Sequence, residues 1–360
     1  MENRKIRVAI THGDTNGIGY ELIFKTFAEP EILELCTPII YGSPKIAAYH
    51  RKALDIQGNF SIINNVAEAT DGRVNLLACF DEDVKVEMGV ASPESGMAAL
   101  KVLDKAMTDY RENAYDVLVN CPMDDGNIHI GGYRFSNTGK YIEASLGEGS
   151  KAATLFISDK MRLMVATEGS SVKDIASVLT KDLVKDKATL FFKTIRRDFN
   201  ISNPRLAILA LNPNQGKEEQ EIIAPAIKEL IETGVQAFGP YTAAEFFEND
   251  YYNEFDGILA MFYDQGVPSI KALATEGVVK FNVNLPIITT EPDCHVRFDI
   301  AGQCVADERS FRHAIYMAID IHRNRARYDE PLQHPLQKLY HEKHDDGEKV
   351  RFSVSKKKHE

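Results

Sequence analysis

Cysteine is scarce in this sequence, and the few cysteines are scattered without a CxxC spacing. They stand at Cys36, Cys79, Cys121, Cys294 and Cys304. This usage argues against a disulfide framework and predicts reduced thiols in a cytoplasmic protein. The sequence also lacks an apolar run long enough to cross a bilayer, and it begins without a recognisable signal peptide. We therefore expect no membrane interaction.

Positive charge is in deficit, because 42 lysines and arginines face 53 aspartates and glutamates, for a formal net charge of −11. Such a balance argues against a general nucleic-acid binder or a membrane-surface binder. It does not exclude a small anionic ligand, since a local cluster of lysines can outweigh the global field. The length of 360 residues allows a large core and predicts two domains.

Short apolar runs alternate with amphipathic stretches along most of the chain. This alternation predicts an α/β protein with mainly parallel sheets. An apparent hairpin around residues 158–160 predicts that the sheet is mixed in the middle of the chain. The last helix is expected over residues 310–325, and the charged segment beyond it, 329–360, is expected to be a surface extension.

Residues 257–271, GILAMFYDQGVPSIK, carry the clearest local signal. An apolar strand is followed by the polar residues Tyr263, Asp264 and Gln265, and a helix is expected from about Ser269. Ligands of open α/β sheets bind just beyond the carboxyl ends of strands, so these side chains are candidates for a binding site. The alternative is an ordinary strand-to-helix turn in which Asp264 caps the helix.

Seven motifs appear in a fixed order along the chain: ITHGDTNGIGYEL, SPESGMAAL, LVNCPMDDGNI, GYRFSNTGKYIE, PRLAILALNPNQG, AMFYDQGVPSIK and DCHVRFDIAG. Together they resemble the 4-hydroxythreonine-4-phosphate dehydrogenase family of pyridoxal phosphate biosynthesis. The resemblance covers roughly residues 5–325, which leaves only the C-terminal segment outside it.

The resemblance implies a fold like that of isopropylmalate dehydrogenase, with two α/β/α domains of mainly parallel, mixed sheets around a cleft. The expected division is 1–127 plus 304–328 for the first domain, 128–303 for the second, and 329–360 for the extension. It also implies a homodimer, with residues 131–143 and the hairpin at Ser158 as the candidate contacts.

The family reaction is an NAD-dependent oxidation of a secondary alcohol followed by decarboxylation, and it uses a divalent metal held by three histidines. In this chain the three family positions hold Gly169, Asn214 and Tyr263. Glycine has no side-chain donor, and asparagine and tyrosine are poor neutral ligands. We therefore expect the divalent metal to be absent. The alternative is that ligands come from elsewhere, such as His12 or His295.

The family's substrate positions are also largely replaced. They correspond to Thr138, Gly139, Lys271, Lys280 and Thr289. Of these, Lys271 keeps the family role of a cation for the substrate phosphate. Lys280 stands for an asparagine, and Lys140 stands for a glutamate. The added lysines predict that the cleft still attracts a phosphate or a carboxylate.

The family's cofactor region is partly kept. Asp293 and the motif from Asp299 to Gly302 make NAD possible as a cofactor by resemblance. We therefore predict a diverged family member without the metal-dependent activity, which binds a small phosphorylated or carboxylate ligand. The alternatives are an enzyme with altered chemistry that keeps NAD, the active family dehydrogenase with altered ligands, and a structural or partner-binding role.

Overall fold

The computed structural model describes residues 4–80, 84–124, 126, 129–130, 133–135, 137–147, 149 and 151–333. Its strands are β1 (Ile6–Thr11), β2 (Cys36–Gly42), β3 (Ser61–Ile63), β4 (Asn75–Ala78), β5 (Val117–Asn120), β6 (His129–Ile130), β7 (Tyr133–Arg134), β8 (Ala153–Ile157), β9 (Arg162–Val165), β10 (Arg205–Leu209), β11 (Gln236–Tyr241), β12 (Gly257–Ala260), β13 (Val279–Val283) and β14 (Thr289–Pro292).

The helices alternate with these strands. They are α1 (Gly19–Thr26), α2 (Ile32–Leu35), α3 (Pro44–Ala53), α4 (Pro93–Arg111), α5 (Thr138–Leu146), α6 (Ile175–Val178), α7 (Lys181–Asp198), α8 (Ala224–Glu232), α9 (Ala243–Glu248), α10 (Tyr263–Leu273) and α11 (Arg309–Gln333). A π-helical turn (Glu219–Ile223) leads into α8, and short 3₁₀ turns occupy Val66–Glu68 and Tyr251–Glu254.

One 12-stranded sheet runs through the molecule in the order β11-β10-β12-β9-β8-β13-β14-β5-β1-β2-β4-β3. The strands from β11 to β9 pair in parallel, and so do the strands from β14 to β3. Between these two wings, β9, β8, β13 and β14 pair antiparallel. The α/β class with a mainly parallel, mixed sheet is therefore confirmed, and so is the hairpin around residues 158–160.

Helices cover both faces of the sheet. One core cluster combines side chains of α1, α7, α8 and α11, whereas α4 and α5 pack into a second cluster and α9 and α10 into a third. The almost fully buried strands β2, β5 and β12 fit a sheet that is covered on both sides. Helix α4 begins at Pro93, and the Ser92 hydroxyl caps it by accepting from the Ser95 N–H at 3.2 Å.

The two predicted domain segments share this one sheet. Strand β14, from the predicted second domain, pairs in parallel with β5 of the first through the Thr289–Leu118 and Thr290–Val119 pairs. Helix α11 also packs against both β5 and β13. The domain boundaries remain a prediction, as does the homodimer, and residues 131, 132 and 136 of its expected contact region lie outside the described residues.

Two helix boundaries differ from the sequence prediction. Helix α11 continues to Gln333 rather than ending at Arg325, and an ion pair between Asp329 and Arg197 of α7 holds this added part. Helix α10 begins at Tyr263 rather than near Ser269, and Pro268 lies inside it. Within the described part of the chain, no helix is long and apolar enough to span a membrane.

Candidate functional site

A cleft of about 400 Å³ lies on the antiparallel middle of the sheet. Its floor is one face of β8, β13 and β14, where Lys280 stands opposite Glu291 on one neighbouring strand and opposite Phe156 on the other. Further walls come from the start of α5, the turn after β9, α7 and the first residue of α10. The lining residues include Pro122, Met123, Asn137, Thr138, Lys140, Thr154, Glu168, Gly169, Lys187, Tyr263, Lys280, Asn282, Asp293, Cys294 and His295.

The alternation of β13 explains which of its side chains reach the cleft. Val279, Phe281 and Val283 are buried in the main core, so Lys280 and Asn282 between them face the opposite side of the sheet. The Lys280 ammonium lies 2.7 Å from a carboxylate oxygen of Glu291 on the adjacent strand. The cleft floor thus carries a cross-strand ion pair rather than a single cation.

The first turn of α5 points at this floor. Asn137 caps the helix by accepting from the Lys140 N–H at 2.9 Å. Thr138 and Gly139 follow and are both buried. A Cβ on Gly139 would lie 2.3 Å from the side-chain oxygen of Asn282, so only glycine fits there without a shift. The predicted positions Thr138, Gly139 and Lys280 are therefore brought together.

Asn282 contributes an unpaired donor to the cleft. The residue is only 3% exposed, and its Nδ2 has no hydrogen-bond partner among the described residues. A buried amide donor without a partner costs free energy unless a bound group accepts from it. The combination of this donor with a helix N-terminus suits an anion.

Each of the lysines singled out in the sequence has a carboxylate partner. The Lys140 ammonium lies 2.7 Å from Glu143 within α5, and the Lys271 ammonium lies 2.9 Å from Asp293. Lys271 does not line the cleft, although its partner Asp293 does. The pairing links a predicted substrate residue to a predicted cofactor residue, and it reduces the positive charge that Lys271 can offer to a ligand.

The family's metal positions lie in three different environments. Gly169, with φ of +77°, is exposed in the turn after β9, and Tyr263 is 48% exposed at the start of α10. Both border the cleft, whereas Asn214 is exposed in the turn after β10 and does not line it. Of the alternative histidines, His295 lines the cleft and His12 is buried against Tyr20. These side chains do not fit a three-histidine metal site.

In the first turn of α10, the Gln265 side chain bonds to two backbone groups and holds the start of the helix in place. The Oε1 of Gln265 accepts from the Met261 N–H at 2.7 Å, and its Nε2 donates to the Ala210 carbonyl. These bonds tie the helix start to the ends of β12 and β10, which explains why the helix begins earlier than expected. Asp264 makes no side-chain cap, so the alternative interpretation of a capping aspartate is wrong.

Two residues on the cleft wall were not singled out in the sequence. The Glu168 carboxylate accepts from the Thr154 N–H at 3.1 Å and from the Thr154 hydroxyl, so its position is fixed by β8. Lys187, on α7, is partly buried, and this burial lowers the pKa of its ammonium group, as does the neighbouring charge of Lys140. Glu168 acts in the opposite direction on that pKa.

Of the three predicted cofactor residues, only Asp299 lines a second cavity of about 440 Å³, whereas Asp293 lines the cleft. Asp299 lines this cavity and is held by Arg297, whose guanidinium lies 2.8 Å away and keeps the pKa of Asp299 below its usual value. Met123 and His295 border both spaces. Gly302, with φ of +83°, closes the turn after Asp299, where a Cβ would lie 2.9 Å from the Met88 sulfur.

The substrate candidate Thr289 and the cysteine Cys294 do not present reactive groups to the cleft. Thr289 is fully buried in β14, where its hydroxyl accepts from Asn120 at 3.0 Å, and it does not line the cleft. Cys294 does line it, but burial raises the pKa of its thiol to about 12. A thiol with so high a pKa is a poor nucleophile.

The sequence pattern indicates that Asn282 faces the polar side of its strand, but it gives little indication that Lys187 lines a binding site. In β13 the alternation of valine and phenylalanine with Lys280 and Asn282 indicates that these two share a polar face. Lys187 stands among several charged residues of an amphipathic helix, and nothing in the local pattern distinguishes it from a solvent-facing lysine. The arrangement of α7 beside the cleft had to be known first.

This chain is similar in sequence to one protein-family model and to several known proteins. The family model described as pyridoxal phosphate biosynthetic protein PdxA matches residues 34–318. A 4-hydroxythreonine-4-phosphate dehydrogenase of Bacteroides thetaiotaomicron is 47% identical over 360 residues, covering 98% of this chain and 99% of that protein. A D-threonate 4-phosphate dehydrogenase of Cupriavidus necator is 28% identical over 329 residues, covering 89% of this chain and 98% of that protein.

Solved structures show the same fold at lower sequence identity. A 4-hydroxythreonine-4-phosphate dehydrogenase from Klebsiella pneumoniae superposes with a TM-score of 0.75 at 24% identity, covering 89% of this chain and 99% of that one. The corresponding enzyme from Burkholderia phymatum gives a TM-score of 0.71, also at 24% identity, with the same coverage of both chains. The predicted fold and the resemblance drawn from the seven motifs are thus confirmed.

Proposed function

The chain belongs to the pyridoxal phosphate biosynthetic protein PdxA family, and we propose that it is a diverged member that binds a small phosphorylated or carboxylate ligand without metal-dependent dehydrogenation. Relatives are named for 4-hydroxythreonine 4-phosphate and for D-threonate 4-phosphate, which both carry a phosphate. The proposed ligand class keeps an anionic group such as this phosphate. The oxidation of the substrate's secondary alcohol, which is the family reaction, is proposed to be lost.

The ligand chemistry at the metal positions supports the second half of this proposal. Gly169 offers no donor, Tyr263 would have to lose its phenolic proton to bind a cation well, and Asn214 lies outside the cleft. Across the described ranges there is no group of three or more histidine, cysteine, aspartate or glutamate side chains that could hold a metal ion.

The observation that carries the anion site is the unpaired Nδ2 of Asn282, buried on the cleft floor beside the first turn of α5. The free N–H groups of that turn and the hydroxyl of Thr138 provide further donors at the same end of the helix. Lys280 adds a cation whose charge is partly balanced by Glu291. Hydrogen-bond donors of this kind recognise phosphate or carboxylate oxygens. They support binding of an anion but do not indicate which reaction, if any, follows.

The anion site is tested by calorimetric titration of inorganic phosphate into the full-length protein at low salt. Thr138→Val and Asn282→Leu remove hydrogen-bond donors at similar side-chain volume, and each is expected to weaken binding by about tenfold. Lys193→Met, on the exposed face of α7, is the control. Unchanged affinity in both site variants would contradict the proposal.

The Lys271→Ala variant tests whether Lys271 binds the ligand phosphate, as the family resemblance implies, or remains paired with Asp293. If Lys271 serves the ligand phosphate, its loss should weaken phosphate binding by about 1–3 kcal/mol, as expected for a charge-assisted bond. If its ion pair with Asp293 persists in the complex, the affinity should hardly change.

The loss of the dehydrogenase reaction is tested by elemental analysis and by assays with NAD, 4-hydroxythreonine 4-phosphate and added Mg²⁺, Mn²⁺ or Zn²⁺. We expect no stoichiometric metal and no NADH. One metal per chain together with NADH formation would establish the alternative, an active dehydrogenase with altered ligands. NAD binding without metal would support an altered chemistry that uses the Asp293 and Asp299 region.

A homodimer is part of the proposal by family resemblance. The hairpin between β8 and β9 and the start of α5 would lie at the contact, so both subunits would shape the cleft. Light scattering at micromolar concentration should give twice the chain mass. A monomer under these conditions would contradict the dimer and leave the cleft to a single chain.

A further inference from the structure

Lys187 differs from the other lysines of the cleft because it makes no hydrogen bond and no ion pair within the described part of the chain. Lys140 and Lys280 lie within 2.7 Å of the carboxylates of Glu143 and Glu291. Lys187 makes no hydrogen bond and no ion pair with any residue that the structure describes, although it lines the cleft and is partly buried. A lysine so placed usually has a carboxylate partner, so its unpaired amine is available to a ligand.

The burial of Lys187 favours the neutral form of its amine more than an exposed surface position would. Burial on the wall of the cleft lowers the pKa of this amine, the negative charge of Glu168 counteracts burial only in part, and the positive charge of Lys140 adds a smaller lowering effect. The two oxygens of Glu168 already accept hydrogen bonds from Thr154. Partial desolvation without a hydrogen-bonded carboxylate is a condition under which a lysine amine acts as a nucleophile toward carbonyl compounds.

We propose that Lys187 is the nucleophilic amine of a carbonyl-binding site and condenses with a small phosphorylated aldehyde or ketone held in the cleft. The amine nitrogen attacks the carbonyl carbon, and the carbonyl oxygen takes up a proton to give a carbinolamine. Loss of that hydroxyl as water, with release of the nitrogen's proton, gives the imine. No electron is gained or lost overall, so the step needs no oxidant, metal or redox cofactor.

The phosphate part of this ligand rests on the proposed function, whereas the carbonyl part rests on Lys187 alone. The α5 N-terminus, Asn282 and Lys280 would receive the phosphate on the floor of the cleft. Lys187 approaches the same space from α7 and would meet the carbonyl end of the molecule. A small aldehyde without phosphate should then react at the same lysine, but more slowly.

The test is reductive trapping on the full-length protein. Glyceraldehyde 3-phosphate and sodium cyanoborohydride are added at neutral pH, and the labelled lysines are located by peptide mass spectrometry over time. We expect Lys187 to be labelled at least tenfold faster than the exposed Lys193 of the same helix. Labelling of Lys187 that is no faster than that of Lys193 would overturn the proposal.

Two variants and a second probe sharpen the result. Lys187→Arg keeps the charge without the nucleophile and should remove the fast label, whereas Lys193→Arg should keep it. A fast label that persists in Lys187→Arg would overturn the assignment, and if this variant does not fold, the site map of the unaltered protein still decides. Glyceraldehyde without phosphate distinguishes the proposed nucleophilic amine from the proposed phosphate site. If glyceraldehyde and glyceraldehyde 3-phosphate label Lys187 equally fast, the result supports the nucleophilic amine and counts against the phosphate site.

Discussion

Gly139 shows how closely the start of α5 approaches the cleft floor. An alanine there would place its Cβ 2.3 Å from the side-chain oxygen and 2.8 Å from the Cγ of Asn282, which is itself buried. Because neither side can move freely, we expect Gly139→Ala to lower the free energy of unfolding by about 1–3 kcal/mol. Urea unfolding followed by circular dichroism measures this change.

The matched control removes the obstacle instead of the glycine. Asn282→Ala deletes both close atoms, so Gly139→Ala should cost much less in that background, and the coupling of the two changes should exceed about 1 kcal/mol. An equal cost in both backgrounds would mean that the strain of the alanine lies elsewhere, for example in the first turn of α5.

His12 and His50 are buried histidines outside the cleft, and burial lowers the pKa of each to about 4. The His12 Nδ1 lies 2.7 Å from the Gly13 carbonyl and the His50 Nε2 lies 2.8 Å from the Thr15 carbonyl, so both rings fit the neutral form as donors. An unfolded histidine takes up a proton below about pH 6.5, whereas the folded ones resist until about pH 4. The stability they contribute is complete above pH 6.5 and is lost as the pH falls from 6.5 to 4.

His50→Gln isolates this effect from that of the acidic residues. Glutamine can still donate to the Thr15 carbonyl but takes up no proton. The free energy of unfolding of the variant should therefore fall less steeply between pH 6 and pH 5, by up to about 1.4 kcal/mol per pH unit. Parallel pH profiles of the two proteins, measured by urea unfolding, would contradict the role assigned to His50.

At the scale of elements, the sequence predicts best where local pattern and tertiary environment agree. Helix α4 shows its serine cap, its first-turn proline and its apolar face in the local sequence, and these signals agree with the buried face that the structure gives it. Helix α10 is different, because Tyr263, Asp264 and Pro268 all suggest a break. The hydrogen bonds of Gln265 to Met261 and Ala210 hold the helix start, and the bond to Ala210 depends on β10, which is distant in sequence.

The edge strand β11 illustrates a second limit. It contains Gly239 and Pro240, which are unfavourable in a strand interior, so its sequence does not predict a strand. Its pairing with β10 on one side only makes these residues tolerable. The cleft shows the same limit, since β13 carries Asn282 in a readable alternation, whereas Lys187 becomes a candidate only once α7 packs beside the sheet.

A buried ion pair joins the two long helices on one face of the sheet. The Arg325 guanidinium of α11 donates to both carboxylate oxygens of Asp198 in α7, at 2.8 and 3.1 Å, and both side chains are almost fully buried. Asp198→Asn would leave the buried guanidinium uncompensated. We expect a loss of about 3–5 kcal/mol in the free energy of unfolding.

The chain provides its own control between the same two helices. Arg197 pairs with Asp329 in the same way, but both side chains are about two-fifths exposed. Asp329→Asn should therefore cost less than about 1 kcal/mol. Equal losses in Asp198→Asn and Asp329→Asn, measured by urea unfolding, would show that burial does not decide the strength of these pairs.

At the scale of the whole molecule, the continuous sheet raises the question of whether the two predicted domains unfold separately. The β5–β14 pair joins their strands, and α11 packs across the junction against β5, β13 and β14. Opening this junction would expose the buried side chains of α11 together with those of both wings. We therefore expect the two segments to unfold together.

The absence of tryptophan makes this expectation measurable, because a single introduced tryptophan reports on its own surroundings alone. Tyr110→Trp in α4 lies in the predicted first domain, and Phe255→Trp, just before β12, lies in the second. Both positions are partly buried and tolerate a larger ring better than the core would. The urea transitions of the two variants, followed by fluorescence, should coincide in midpoint and in slope, because breaking the shared sheet removes the support of both wings at once. Two separate midpoints, each matching one phase of the circular dichroism signal, would instead mean that the β5–β14 pair and α11 do not couple the segments, and that the cleft can open through local unfolding of one of them.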